Sequence, residues 1–217
     1  VAGASQYDNG ETDEGAVFIY YGSATGVVDA APTMLESNQA YALLGWFVSG
    51  AGDINADGFD DIVVGAFGYE NGETDEGAAF IYYGSATGII ETPGVVLELN
   101  QASARFGYSC STAGDVNADG FDDVIIGAPY YSNGSTSEGG AFVYHGSAAG
   151  LITTPVTSIE GNASGSFLGI SVSVAGDVNN DGYDDIIVGL SGLNNPTFDE
   201  GGVNIYHGSA SGIIPTI

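Results

Sequence analysis

Asp53-Ile54-Asn55-Ala56-Asp57-Gly58-Phe59-Asp60-Asp61 returns 62 residues later as Asp115-Val116-Asn117-Ala118-Asp119-Gly120-Phe121-Asp122-Asp123. After the same interval it returns again as Asp177-Val178-Asn179-Asn180-Asp181-Gly182-Tyr183-Asp184-Asp185. A fixed period of this size means that one structural unit has been copied, and the fold is read as a stack of such units. Glycines keep the same phase: Gly22, Gly84, Gly146 and Gly208 form one series, and Gly15, Gly77, Gly139 and Gly201 another. Residues 1–217 read as a single repeat domain with a partial unit over 1–37, units over 38–100 and 101–161, and a partial unit over 162–217.

Each unit contains short apolar runs of strand length and no stretch of useful helical periodicity. A first strand is expected at residues 44–50, 106–112 and 168–174. The acidic loop follows, then a second strand at 61–65, 123–127 and 185–189. Its unbroken β-branched run predicts burial on both faces. A third strand is expected at 78–83, with counterparts at 17–21, 141–145 and 203–207, and a weaker fourth at 95–99, 33–36 and 156–159. Four strands per repeated unit is the pattern of an all-β propeller built from four-stranded antiparallel blades. The phase also starts the chain on a second strand and stops it after a third, which gives strand counts of three, four, four and three.

The acidic loop is a candidate cation site. Ca²⁺ takes six to eight oxygen ligands, and alternating carboxylates and amides supply them. In the first loop the expected ligands are Asp53, Asn55, Asp57, the Phe59 carbonyl and Asp61. In the second they are Asp115, Asn117, Asp119, the Phe121 carbonyl and Asp123, and in the third Asp177, Asn179, Asp181, the Tyr183 carbonyl and Asp185. The glycine at the sixth position provides a sharp turn through positive φ. Asp60, Asp122 and Asp184 are expected to face away. The loop begins like an EF-hand, but that motif needs a glutamate at position 12 and a following helix. Position 12 here is Val64, Ile126 or Val188, inside a strand, so the EF-hand is rejected. Three Asx-rich turns without metal are the bland alternative. No His or Cys lies within the loops, which disfavours transition metals.

Around these loops the sequence resembles the FG-GAP repeat family, which builds the calcium-binding β-propeller of integrin α subunits. Residues Phe106-Gly107, 114–123 and Gly127-Ala128-Pro129 follow the family pattern throughout. The other units keep the loop but replace its borders with Leu44-Gly45 and Gly65-Ala66-Phe67, and with Leu168-Gly169 and Gly189-Leu190-Ser191. The resemblance implies three Ca²⁺ sites, a non-enzymatic role in adhesion, and an extracellular or cell-surface location. It also implies a ring of seven blades, which at this period needs about 430 residues. A chain of half that size leaves open strand edges, so assembly into an oligomer or filament is expected.

Composition narrows the alternatives. The formal charge is −27, with Arg105 the single basic residue. Nucleic-acid binding needs a basic footprint and is excluded on that ground. No apolar run is long enough for a membrane-spanning helix. Cys110 shares the phase of Val48 and Val172 and is read as a buried strand thiol, with an intermolecular disulfide as the alternative. Glu14, Glu76, Glu138 and Glu200 share one phase, which predicts a structural hydrogen bond. His145 and His207 take the phase of Tyr21 and Tyr83, as members of an aromatic platform at a strand end. Asn133-Gly134-Ser135 and Asn162-Ala163-Ser164 fit the N-glycan acceptor pattern. A protein ligand, a glycan ligand read by Tyr-rich loops, and service as an accessory domain of a secreted hydrolase stay open as functions.

Overall fold

The computed structural model describes residues 1–28, 32–192 and 200–216. Sixteen strands and no helix occur among them. The chain begins with β1 (Ala2–Ala4) and β2 (Ala16–Ile19). A small hairpin, β3 (Gly22–Ser23) and β4 (Gly26–Val27), precedes β5 (Thr33–Glu36). Next come β6 (Phe47–Gly52), β7 (Asp61–Ala66), β8 (Ala78–Tyr82) and β9 (Val95–Leu97). The same quartet recurs as β10 (Ser109–Gly114), β11 (Asp123–Ala128), β12 (Gly140–Tyr144) and β13 (Thr157–Glu160). The chain closes with β14 (Ser171–Gly176), β15 (Asp185–Leu190) and β16 (Gly202–Tyr206).

These strands form antiparallel sheets in simple sequence order: β1-β2-β5, β6-β7-β8-β9, β10-β11-β12-β13 and β14-β15-β16. They are propeller blades with three, four, four and three strands, and they do not close into a ring. The third and fourth strand positions lie as the repeat predicts, and the β3–β4 hairpin is additional. The first strand of each unit starts later than its apolar run. Leu43, Arg105 and Phe167 have φ of 58°, 54° and 51°, and the glycines two residues on are left-handed as well. Extended backbone therefore cannot begin before this corner. A bulge at Gly50/Gly52, repeated at Thr112/Gly114 and Val174/Gly176, then bends each strand into its acidic loop.

Every residue of β7 and β11 is buried, because adjacent blades cover both of their faces. One cluster joins Ile54, Val63 and Ile81 of one blade to Phe106, Cys110 and Tyr144 of the next. Its counterpart one interface on joins Val116, Ile125 and Val143 to Leu168, Val172 and Tyr206. Full burial of one such side chain contributes roughly 1.5–3 kcal/mol. Cys110 is free and wholly buried in this interface, as its phase predicts.

The glycines at the borders of each unit explain themselves here. A Cβ on Gly65 would sit 1.9 Å from the carbonyl oxygen of Gly107, and one on Gly127 2.1 Å from that of Gly169. Successive blades touch backbone to backbone at these points. The loop between the second and third strands also reaches the next blade. The carbonyls of Glu14, Glu76 and Glu138 accept the N–H groups of Leu44, Phe106 and Leu168 at 3.0, 2.8 and 3.1 Å. Their buried carboxylates fold back onto their own loops, as with Glu138 accepting from Asn133 N–H at 2.5 Å and from Ser135 N–H at 3.4 Å. This is the hydrogen bond expected from their common phase. Glu200 borders residues 193–199, and that part of its loop lies outside the described residues.

Candidate metal centre

The three acidic loops have nearly the same geometry. Each joins the innermost strand of a blade to the second. Asp53 is turned onto the loop's own amides: Oδ1 accepts Asp57 N–H at 3.0 Å and Oδ2 accepts Gly58 N–H at 2.8 Å. Asn55 Oδ1 also accepts from Asp57 N–H, and Asp57 Oδ1 accepts from Phe59 N–H, both at 3.0 Å. Asp115, Asn117 and Asp119 repeat these bonds, as do Asp177, Asn179 and Asp181. Two residues of each loop are left-handed. Gly58, Gly120 and Gly182 have φ of 90°, 90° and 95°, in keeping with the turn their position requires. Ala56, Ala118 and Asn180 also have positive φ, at 54°, 56° and 61°.

The ninth residue is different in kind. Asp61, Asp123 and Asp185 are fully buried at the start of their strands. Asp61 Oδ2 accepts Ile54 N–H at 3.0 Å, and Oδ1 accepts Gly84 N–H at 2.8 Å. The same pair of amides serves Asp123 and Asp185. Burial pushes the Asp61 carboxyl up to about 6 and that of Asp123 up to about 7, against the opposing pull of these amides. At Asp185 burial acts in the same direction, but the Gly208 and Val178 amides together with His207 outweigh it. Its carboxyl ends below the usual range.

One reading from the sequence is corrected and another is extended. Asp122 and Asp184 do not face away: each carboxylate crosses to the loop of the preceding blade, where Oδ2 accepts the N–H of Asp53 or Asp115 at 2.8 and 3.0 Å. Asp60, at the same phase, makes no such bond among the described residues. His145 takes the place of Tyr21 and Tyr83 against the turn of the next blade, where a Cβ on Gly212 would lie 2.7 Å from its Nε2, and both histidines also meet the acidic loops. Strand pairing sets them beside the second and third loops, with Nδ1 3.2 Å from Asn117 Nδ2 and 3.3 Å from Asn179 Nδ2. His207 Nδ1 also lies 3.2 Å from Asp185 Oδ1. Tyr21 and Tyr83, at their phase, reach into the next blade, where their hydroxyls accept the N–H of Ile89 and Leu151 at 2.9 Å.

The donor set is oxygen throughout, apart from those two imidazoles. As the loops stand, the carboxylates hold amides, and among the described residues no group of three or more Asp, Glu, His or Cys side chains converges as a cation cage. The ligand oxygens are present on one short loop, and two of its residues already have left-handed backbone. The residues fit a hard cation by donor chemistry.

A row of aromatic rings lies at the opposite ends of the strands, and sequence reading did not single it out. Trp46 meets Phe67 edge-on at 4.7 Å and Tyr108 at 5.6 Å. Arg105 lies over the rings of Phe67 and Tyr130, 5.3 and 4.6 Å from their centroids, and Tyr130 meets Phe167 at 5.3 Å. The signals available were the shared phase of Trp46 and Tyr108 and that of Arg105 and Phe167.

Antiparallel four-stranded sheets, each entered through an acidic loop and stacked face to face, define this protein as an incomplete β-propeller. Residues 44–82, 106–144 and 168–202 match the FG-GAP repeat model. The chain belongs to the FG-GAP repeat family. It is 33% identical to integrin alpha-5 of Xenopus laevis over 184 residues, which is 81% of this chain and 17% of that protein. It is also 33% identical to integrin alpha-3 of Cricetulus griseus over 195 residues, 87% of this chain and 17% of that protein. Against integrin alpha-7 of Homo sapiens the identity is 36% over 143 residues. The chain spans about a sixth of the length of the first two relatives.

Proposed function

We propose that the chain is a non-enzymatic, calcium-stabilised β-propeller module of an extracellular or cell-surface protein, serving adhesion or self-assembly. The observation that carries the reading is the threefold loop. Three carboxylates, one amide and one carbonyl recur without insertion, and at Asp61 and Asp123 the ninth-position carboxylate is buried where its charge is costly. Asp53, Asn55, Asp57, the Phe59 carbonyl and Asp61 would hold the first cation. Asp115, Asn117, Asp119, the Phe121 carbonyl and Asp123 would hold the second. Asp177, Asn179, Asp181, the Tyr183 carbonyl and Asp185 would hold the third. Bound Ca²⁺ would neutralise each loop and tie the first strand of a blade to the second. Similarity to integrin α subunits supports adhesion to a protein ligand and an extracellular setting. Among the described residues no helix is long and apolar enough to cross a membrane.

The self-assembly part rests on a separate observation. Val203 and Ile205 of β16 are 62% and 42% exposed, whereas their counterparts Ala141 and Val143 are fully buried under the next blade. Val178 is 53% exposed, whereas Val116 and Ile54 are fully buried. This face has the shape and composition of an internal blade interface and would accept another blade. Asn133 and Asn162 stand exposed and could carry N-glycans, although both side-chain amides now bond to Glu160.

Thermal unfolding in calcium against excess EDTA tests the cation reading. Each site at a hundredfold excess of calcium over its Kd adds about 2.7 kcal/mol. At roughly 2–4 °C per kcal/mol for a chain of this size, three sites raise Tm by on the order of 15 °C or more. Superimposable melts in calcium and in EDTA would reject it.

A further inference from the structure

The aspartate just ahead of the last expected ligand works outside its own blade. Asp122 Oδ2 accepts the N–H of Asp53 in the preceding blade at 2.8 Å, and Asp184 Oδ2 accepts that of Asp115 at 3.0 Å. The main chains answer in the other direction. Asp122 N–H donates to the Asp53 carbonyl and Asp184 N–H to the Asp115 carbonyl, both at 3.3 Å. Beside them, Ser147 N–H donates to the Ile54 carbonyl and Ser209 N–H to the Val116 carbonyl, both at 3.1 Å. The seat for the carboxylate is made by glycine. A Cβ on Gly52 would lie 2.1 Å from Asp122 Oδ2, and one on Gly114 2.1 Å from Asp184 Oδ2. Gly52 and Gly114 also have φ of 75° and 72°, so the backbone itself calls for glycine. The whole arrangement occurs at two successive interfaces in the same register.

We propose that Asp122 and Asp184 are positioning residues that couple cation binding between adjacent blades, an inference that rests on the cation reading above. Asp122 stands in the chain between Phe121 and Asp123, two of the groups that would hold the second cation. The residue it caps, Asp53, is the first ligand expected for the first cation, and its carboxylate already organises the amides of Asp57 and Gly58. Ordering the second loop therefore fixes Asp53, and ordering the first loop holds Asp122. Asp184 and Asp115 link the third loop to the second by the same bonds. Such coupling is reciprocal, so each filled loop raises the affinity of its neighbour. A carboxylate is suited to the task because a charged acceptor makes a stronger bond to a backbone N–H than a neutral one.

The test is a CaCl₂ titration of the whole ¹⁵N-labelled chain that follows the amides of Gly58, Gly120 and Gly182, one in each loop. In Asp122→Ala the midpoint at Gly58 is expected to rise about fivefold or more, the low end of ordinary coupling between sites. The midpoint at Gly182 should stay within about twofold of wild type, because the link between the second and third loops is intact. Asp122→Asn keeps an oxygen acceptor but loses the charge, and should retain most of the coupling at Gly58. Asp184→Ala repeats the experiment one interface on, with Gly120 as its reporter, so a folding failure of Asp122→Ala does not end the test. Midpoints at Gly58 and Gly120 that ignore the respective alanine substitutions overturn the coupling and leave the cation sites standing. Equal weakening by Asn and Ala assigns the effect to charge alone and overturns it too. Wild-type amides indifferent to calcium in all three loops remove the cation reading, and the coupling with it.

Discussion

Cys110 and Gly127 show how one interface constrains single residues in opposite ways. Cys110 is packed among Val63, Ala79, Ile126 and their neighbours with none of its surface exposed. Burial pushes its thiol far above the usual range, because a thiolate there would lack solvation. The native protein should therefore leave a maleimide or Ellman's reagent unreacted at pH 8, and should consume one equivalent on unfolding. Stoichiometric labelling of the folded chain would contradict the packing. Gly127 is constrained by what it lacks. An added Cβ would lie 2.1 Å from the Gly169 carbonyl oxygen and 2.3 Å from Ser109 Oγ, and of these the backbone of the other blade cannot rotate away. Gly127→Ala should destabilise by about 2–3 kcal/mol, at the upper end of ordinary overpacking, read as a lower urea midpoint at constant m. An unchanged midpoint would mean that the two blades separate more readily than their contacts imply.

At the scale of the element, the second strand of each blade was the most legible part of the sequence. Residues 62–64, 124–126 and 186–188 are unbroken β-branched runs between an aspartate and a glycine, and β7, β11 and β15 start at the expected residue and run only one residue longer. The first strand was misplaced by three residues because its apolar run, Leu44-Gly45-Trp46-Phe47, includes a corner. Leu43 and Gly45 are left-handed, and hydrophobicity carries no record of φ. Leu44 itself is buried, but as a corner residue whose N–H bonds to Glu14. The β3–β4 hairpin escaped notice for the converse reason. Gly22–Ser23 and Gly26–Val27 are too short and too exposed to leave a hydrophobic pattern.

For the whole molecule, the stack of blades has unlike ends. Among the described residues β16 pairs with β15 alone and presents Val203 and Ile205 to solvent. Among the described residues β1 pairs with β2 alone. Unpaired edges and an apolar face of this kind favour head-to-tail association. Light scattering in millimolar calcium should therefore give a mass that is a multiple of the chain mass, or polydisperse filaments. Val203→Asp with Ile205→Asp should return the protein to a single chain without altering its melting temperature by more than a few degrees. A monodisperse monomer for the unsubstituted chain would remove self-assembly from the proposed function and leave adhesion as its remaining content.

What the sequence determined by itself was the repeat, its period, the strand count of each blade and the oxygen-rich loop. All are local, and each is written three times over, so the pattern survives drift at any one copy. The buried carboxylates of Glu14, Glu76 and Glu138 were legible for the same reason. Only the tertiary structure decided what lies across an interface. Residues 69 apart, Asp53 and Asp122, become hydrogen-bond partners because the blades stack with a particular rotation. His207 meets Asp185 because the third strand pairs with the second and carries its end to the loop. Phase identifies equivalent positions, but it holds no information about the angle between one blade and the next, and that angle selects the groups that touch.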